Sequence, residues 1–186
     1  MARASVRAAA GAPPSGARDR AAVSLLVVAL LAAALAYAPG LDSPYVFDHE
    51  RYVRDNPALR QVWPPGWIHA GTQETRPVAN LSFALDVAAF GPGARGHHVV
   101  NLALHLASAL LLFALVRRLW RGSAGPTARD ATLVAAVAAT LLALHPVQSG
   151  SVLYIQGRPG LLATAFSLAV ALAGFTAGAA DMLRRA

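Results

Sequence analysis

Four uncharged, apolar runs, Ala21–Ala38, Val99–Val116, Ala131–Leu144 and Leu161–Ala180, divide this chain, and the segments between them alternate in character. A membrane-spanning helix needs roughly 20 apolar residues, each rising about 1.5 Å, to cross about 30 Å of hydrocarbon. With the N-terminus on the cytoplasmic side, Arg3, Arg7, Arg18, Arg20, Arg117, Arg118, Arg121, Arg129, Arg184 and Arg185 all fall on that side. The other side receives all six histidines and most of the acids. This is the positive-inside pattern. It predicts an all-α polytopic membrane protein with four transmembrane helices and a structured first extracytoplasmic loop.

Composition supports the bilayer: 56% of the residues are hydrophobic and only 13% charged. The net charge of +7 suggests a nucleic-acid partner at first sight, but its distribution argues otherwise. Ten cytoplasmic arginines against three cytoplasmic acids (Asp19, Asp130, Asp181) already account for that excess. The charge is therefore a topology signal, helped by anionic membrane lipids, and no nucleic acid is implied. The absence of Cys excludes disulfides and thiolate metal sites. Ala36-Tyr37-Ala38 has the form of a signal-cleavage site, but the preceding run exceeds a usual signal core and three more runs follow.

The organisation expected is a disordered cytoplasmic tail over 1–20 and spans over 21–40, 97–120, 131–147 and 160–180. Extracytoplasmic loops cover 41–96 and 148–159, with cytoplasmic segments over 121–130 and 181–186. The third run is short, so its outer end should lie against protein or water. Trp63-Pro64-Pro65-Gly66-Trp67 reads as a turn whose two Trp suit the headgroup level. Val78–Phe90 reads as a short helix, lying along the membrane or tucked into the bundle, with Asn80 and Asp86 interrupting its apolar residues. Asn80-Leu81-Ser82 matches a glycosylation acceptor but falls inside that helix. Gly174 and Gly178 have the spacing that lets helices approach closely, in a run where Ala abundance makes such a match common.

Three constellations carry chemistry. Asp48 and Glu50, two residues apart in a loop, can hold a divalent cation through oxygen or supply a general base. They can equally be solvated charges paired with Arg51 and Arg54. His98, Asn101 and His105, at i, i+3 and i+7, share one helical face that must turn into the bundle. They suit either a binding site or interhelical hydrogen bonds, and their spacing does not clamp one metal ion. His145, before the helix-breaking Pro146, and Arg158, at the start of the next span, either flank a site or punctuate helix ends.

Taken in order, Phe47-Asp48…Asn56-Pro57, Arg76-Pro77…Leu81-Ser82…Leu85-Asp86, Gly96…His98…Asn101…His105 and His145-Pro146-Val147…Ile155…Gly157-Arg158…Leu161-Leu162 form a distinctive set. This set resembles the N-terminal part of the transmembrane O-mannosyltransferases with tetratricopeptide repeats, and their bacterial relatives, of the GT-C glycosyltransferase class. The resemblance covers roughly Tyr45 to Leu172. It implies transfer of a sugar, mannose in the family, from a polyprenyl-phosphate carrier to a protein hydroxyl. The extracytoplasmic side generally lacks nucleotide-sugars, so the donor would enter from the lipid. Asp48 matches the first acid of a catalytic or metal-associated pair, with Glu50 replacing the second. Arg76, His98, Asn101, His105, His145 and Arg158 match positions around the lipid-phosphate-sugar site, where Arg forks suit phosphate. The resemblance further implies a multi-pass cell-membrane location, or the endoplasmic reticulum membrane in a eukaryote, and additional transmembrane helices as partners. This chain departs from the family at three places: His49 stands where the pair's second acid is usual, and Gly150 and Gly160 stand where acids commonly follow His-Pro-Val and Gly-Arg. Those departures favour the alternative of a non-catalytic membrane scaffold. A small transporter would need ionisable residues at mid-bilayer, and none lies deeper than His105.

Overall fold

The computed structural model describes residues 15–69, 76–121 and 130–185. Among the described residues there are helices and turns and no strand. Residues 122–129 of the expected cytoplasmic segment 121–130, and most of the N-terminal tail, lie outside them.

Helix α1 (Ser15–Tyr37) begins ahead of the first apolar run and continues into a 3-10 turn at Ala38–Asp42, where Pro39 interrupts the α-helical ladder. Its buried side, Ala22, Leu26, Ala29, Ala33 and Tyr37, repeats every three or four residues. Helix α4 (Ala131–Leu144) answers with Ala135, Ala136, Ala139 and Ala143, all fully buried. Lipid tails are as apolar as the side chains they touch, so hydrophobic burial drives little association between membrane helices. Close van der Waals packing does, and alanine rows permit it. Phe113 and Leu106 of α3 (Ala94–Arg121) close the same contact from the third side. Helix α6 (Arg158–Arg185) packs mainly on α3.

Among the described residues three segments, Gly16–Asp42, Ala94–Arg121 and Ile155–Thr176, are long and apolar enough to cross a membrane. Helix α4 has 14 residues and reaches only about 21 Å. It becomes a fourth span if joined to Pro146–Val152, from which it is bent by 49°. Pro146 has no N–H to continue the ladder, and His145 leaves the helical region at ψ 126. Beyond the bend comes the short helix α5 (Ser149–Val152), and Val152 is buried against Tyr37 and Leu102. The outer end of the third apolar run itself, 144–147, stands exposed, and it is the segment after the bend that returns to the protein.

At the arginine-rich end, Arg18–Asp130 at 3.9 Å and Asp19–Arg121 at 3.7 Å bring the start of α1 beside the end of α3 and the start of α4. At the histidine-rich end, the first loop folds into a cap. Val53 and Leu59 of the loop, Ala79 and Phe83 of α2 (Pro77–Phe90) and Ile155 form one core, with Trp67 packed on it. The indole of Trp67 donates to the Val62 carbonyl at 3.0 Å, whereas Trp63 stands exposed. Asn56 caps the turn Pro57–Leu59 by accepting from the Ala58 amide at 3.0 Å.

Helix α2 tucks into the bundle with its polar residues inward. Asn80, Phe83, Ala84 and Asp86 are buried, while Val78, Leu85 and Phe90 are exposed. Asn80 donates to the Trp67 carbonyl at 3.1 Å, so the glycosylation match is closed off in this fold.

Candidate functional site

The first helical turns of α3 and α6 meet α2 around one buried cation. Arg158 is fully buried, and its guanidinium is enclosed by acceptors. One terminal nitrogen lies 2.7 Å from Asp86 Oδ2 and donates to the His97 carbonyl at 2.8 Å. The other terminal nitrogen donates to Ser82 Oγ at 3.2 Å, and Nε donates to Asn101 Oδ1 at 2.5 Å. The Phe83 ring lies under the cation, 4.8 Å from its centre. Asp86 also accepts from His97 Nδ1 at 2.8 Å. A buried ion pair survives only where geometry and further hydrogen bonds offset desolvation, and this one has both.

Asn101 holds a second junction. Its Nδ2 donates to the carbonyls of Val152 and Tyr154, each at 3.2 Å, tying α3 to the end of α5 and to the turn that leads through a 3-10 helix (Ile155–Gly157) into α6. That stretch is tight: a Cβ on Gly157 would stand 2.6 Å from the Ser151 carbonyl oxygen, so only glycine fits. Further along α3, His105 Nε2 bonds the Ala143 carbonyl at 3.2 Å, and its ring meets Tyr37 edge-on. His98 Nε2 bonds the Ser43 carbonyl at 3.3 Å, which pins the start of the first loop. The expected shared face of His98, Asn101 and His105 does turn into the bundle, and each residue bonds a backbone carbonyl there.

Above this layer lies the acidic segment. His49 is fully buried, its ring 4.4 Å from that of Tyr154, and its Nδ1 accepts from the Val46 amide. Burial, with the neighbouring His98, pushes its pKa down to about 4, against a smaller opposing pull from Asp48. Asp48 beside it is exposed and makes no hydrogen bond or ion pair among the described residues. Glu50 is exposed and bonded to Arg54 at 2.8 Å, and the same guanidinium grips Asp55. Those contacts hold the Arg54 pKa above its ordinary value and the Asp55 pKa below. An open cleft of about 460 Å³ separates this loop from the start of α3, walled by Asp42, Tyr45, Glu50, Arg54 and Arg95.

Of the residues singled out in the sequence, Asn101 and Arg158 touch directly; His98 bonds Ser43 instead, and Asp48 adjoins His49, whose ring lies against Tyr154. His105 lies nearly two turns further along α3. Arg76, exposed at the start of α2, and His145, exposed and accepting the Val147 amide at 3.2 Å, stand apart from the network. Among the described residues, no group of three or more His, Cys, Asp and Glu side chains is arranged to hold a metal ion. A Cβ at Gly150 or Gly160 would meet nothing within 4 Å, so both positions have room for a side chain. Sequence reasoning passed over His49, Ser82, Asp86 and His97 as site residues. The signal for Asp86 was present: a lone acid in an apolar helix needs a cation, and Arg158 stands at the start of a span on the same side.

No protein-family profile and no solved structure matches the chain. It is similar to curated proteins named protein O-mannosyl-transferases. One from Caenorhabditis elegans is 28% identical over 156 residues, 77% of this chain and 22% of the relative. Protein O-mannosyl-transferase TMTC4 of Homo sapiens is 29% identical over 155 residues, 73% of this chain and 21% of the relative. Protein O-mannosyl-transferase Tmtc3 of Drosophila melanogaster is 31% identical over 150 residues, 68% of this chain and 16% of the relative. The chain spans about a fifth of the length of these relatives. Over most of its own length, this all-α membrane chain is thus similar to protein O-mannosyl-transferases.

Proposed function

We propose that the chain is the N-terminal portion of a GT-C-type glycosyltransferase that moves a sugar, mannose by analogy with its relatives, from a polyprenyl-phosphate carrier to a protein hydroxyl. Asp48 activates or orients the acceptor hydroxyl, with Glu50 beside it. Arg76 is the exposed cation for the lipid phosphate. His98, Asn101, His105, His145 and Arg158 line or support the site. The observation that carries this reading is the position of Asp48. It is the carboxylate of the first loop that stays exposed and unpaired among its described neighbours, directly over a buried polar layer at the membrane-facing end of two spans.

The test is transfer from radiolabelled polyprenyl-phosphate mannose to an acceptor peptide in membranes containing the protein. Asp48→Asn should abolish transfer while leaving the amount of folded protein unchanged. Transfer at the wild-type rate would remove Asp48 from the mechanism.

The enclosure of Arg158, together with glycines at 150 and 160, favours one second reading, a non-catalytic membrane scaffold. It predicts no transfer from the wild type and co-purification with another multi-span chain.

A further inference from the structure

Phe47 breaks two rules at once. It is the one non-glycine residue among the described residues with a left-handed backbone, at φ 53. That conformation presses Cβ toward the following carbonyl, and glycine or asparagine would adopt it more readily. Its side chain is also 86% exposed, with Val46 beside it exposed as well. A strained backbone ordinarily persists because packing holds it, yet this residue is left almost wholly outside the packing of the described residues.

The turn itself is well fixed. The His49 amide donates to the Val46 carbonyl at 3.1 Å, and the buried His49 ring takes the Val46 amide. This closure throws Phe47 outward, so the fold spends strain to display an aromatic ring rather than to bury one.

The height of the turn identifies what the ring meets. Ser43 on one side is bonded to His98, which lies in the second turn of the span Ala94–Arg121, about 6 Å along its axis. His49 on the other side stacks on Tyr154, the residue before the span Ile155–Thr176. The turn therefore lies level with the first turns of two spans, where aromatic rings enter the boundary between headgroups and acyl chains.

We infer that Phe47 is a lipid-inserting anchor that fixes the turn carrying Asp48 at the membrane surface. The inference stands on the spans alone and does not require Asp48 to be catalytic. Its chemistry is the burial of one ring among acyl chains, in place of the water its exposure would otherwise give it.

The chain contains no Cys, so Phe47→Cys in the full chain, in phosphatidylcholine vesicles, gives a single attachment point for a nitroxide. Leu35→Cys, on the exposed face of the first span, is the lipid reference, and Arg51→Cys, in the same loop, is the aqueous one. Collision with oxygen, which partitions into lipid, is compared with collision with a water-soluble nickel chelate. The expected ratio at position 47 matches the Leu35 label and exceeds the Arg51 label several-fold. A ratio equal to that at Arg51, or shielding from both agents, overturns the inference. Phe47→Trp supplies an independent reading: brominated acyl chains should quench a larger share of its emission than of the wild type's, and an equal share counts against lipid contact.

Discussion

His49 shows how a single buried imidazole makes a membrane-boundary site sensitive to acid. Its pKa in the fold is about 4, against about 6.5 for the same group in an unfolded chain. Above pH 6.5 both states carry a neutral ring and the difference contributes nothing. Below it the unfolded chain takes up a proton that the folded chain refuses, so stability falls with pH until the folded ring also protonates near pH 4. The slope is at most about 1.4 kcal/mol per pH unit. Urea midpoints measured from pH 7.5 to 4.5 should therefore fall faster for the wild type than for His49→Phe, which keeps the packing on Tyr154 and removes the titration. Parallel curves for the two proteins would exclude His49 as the source.

At the scale of elements, the Asp86–Arg158 pair joins α2 to the start of α6, and bonds from α3 complete it. Removing one partner strands the other charge in the interior. Asp86→Ala or Arg158→Met alone should each cost about 3–5 kcal/mol, while the double variant should cost well below their sum. Additive losses would show that the two groups act separately. The spans α1, α3 and α6 were readable from apolar run length, and the bend after α4 from Pro146. The inward face of α2 was not. Of its apolar residues Leu85 and Ala88 are exposed, yet Asn80 and Asp86 point in beside Phe83 and Ala84. Against lipid an exposed Leu85 is at no disadvantage, whereas Asp86 has to find a cation, so polarity and not apolar rhythm decides which side is hidden. Arg158 suggested phosphate binding for the same reason that it became buried: it is a cation at the mouth of a span. Sequence spacing does not reveal that its acceptors come from α2 and α3.

Across the whole molecule, the two ends are built differently. The histidine-rich end is sealed by the Arg158 network and the loop core around Val53, Leu59 and Phe83. The arginine-rich end is joined by Arg18–Asp130 and Asp19–Arg121, whose side chains are about half exposed. Pairs of that kind contribute roughly 0–1 kcal/mol. Hydrogen exchange in vesicles should therefore show slow amides over Val53–Leu59 and fast ones over Ser15–Arg20, although both lie outside the hydrocarbon. The opposite ranking would place the stable unit at the wrong end.

The amide of Asn101 carries a load that is out of proportion to its size. Where the chain turns between α5 and α6, one side chain donates to the carbonyls of Val152 and Tyr154, the second of which also takes the Gly157 amide at 2.8 Å, while accepting from Arg158. A borrowed donor thus stands in at this corner for the next helical turn, which would otherwise serve the Val152 carbonyl. A leucine there, though more lipid-like, would take that donor from both carbonyls and leave the Arg158 Nε without its acceptor.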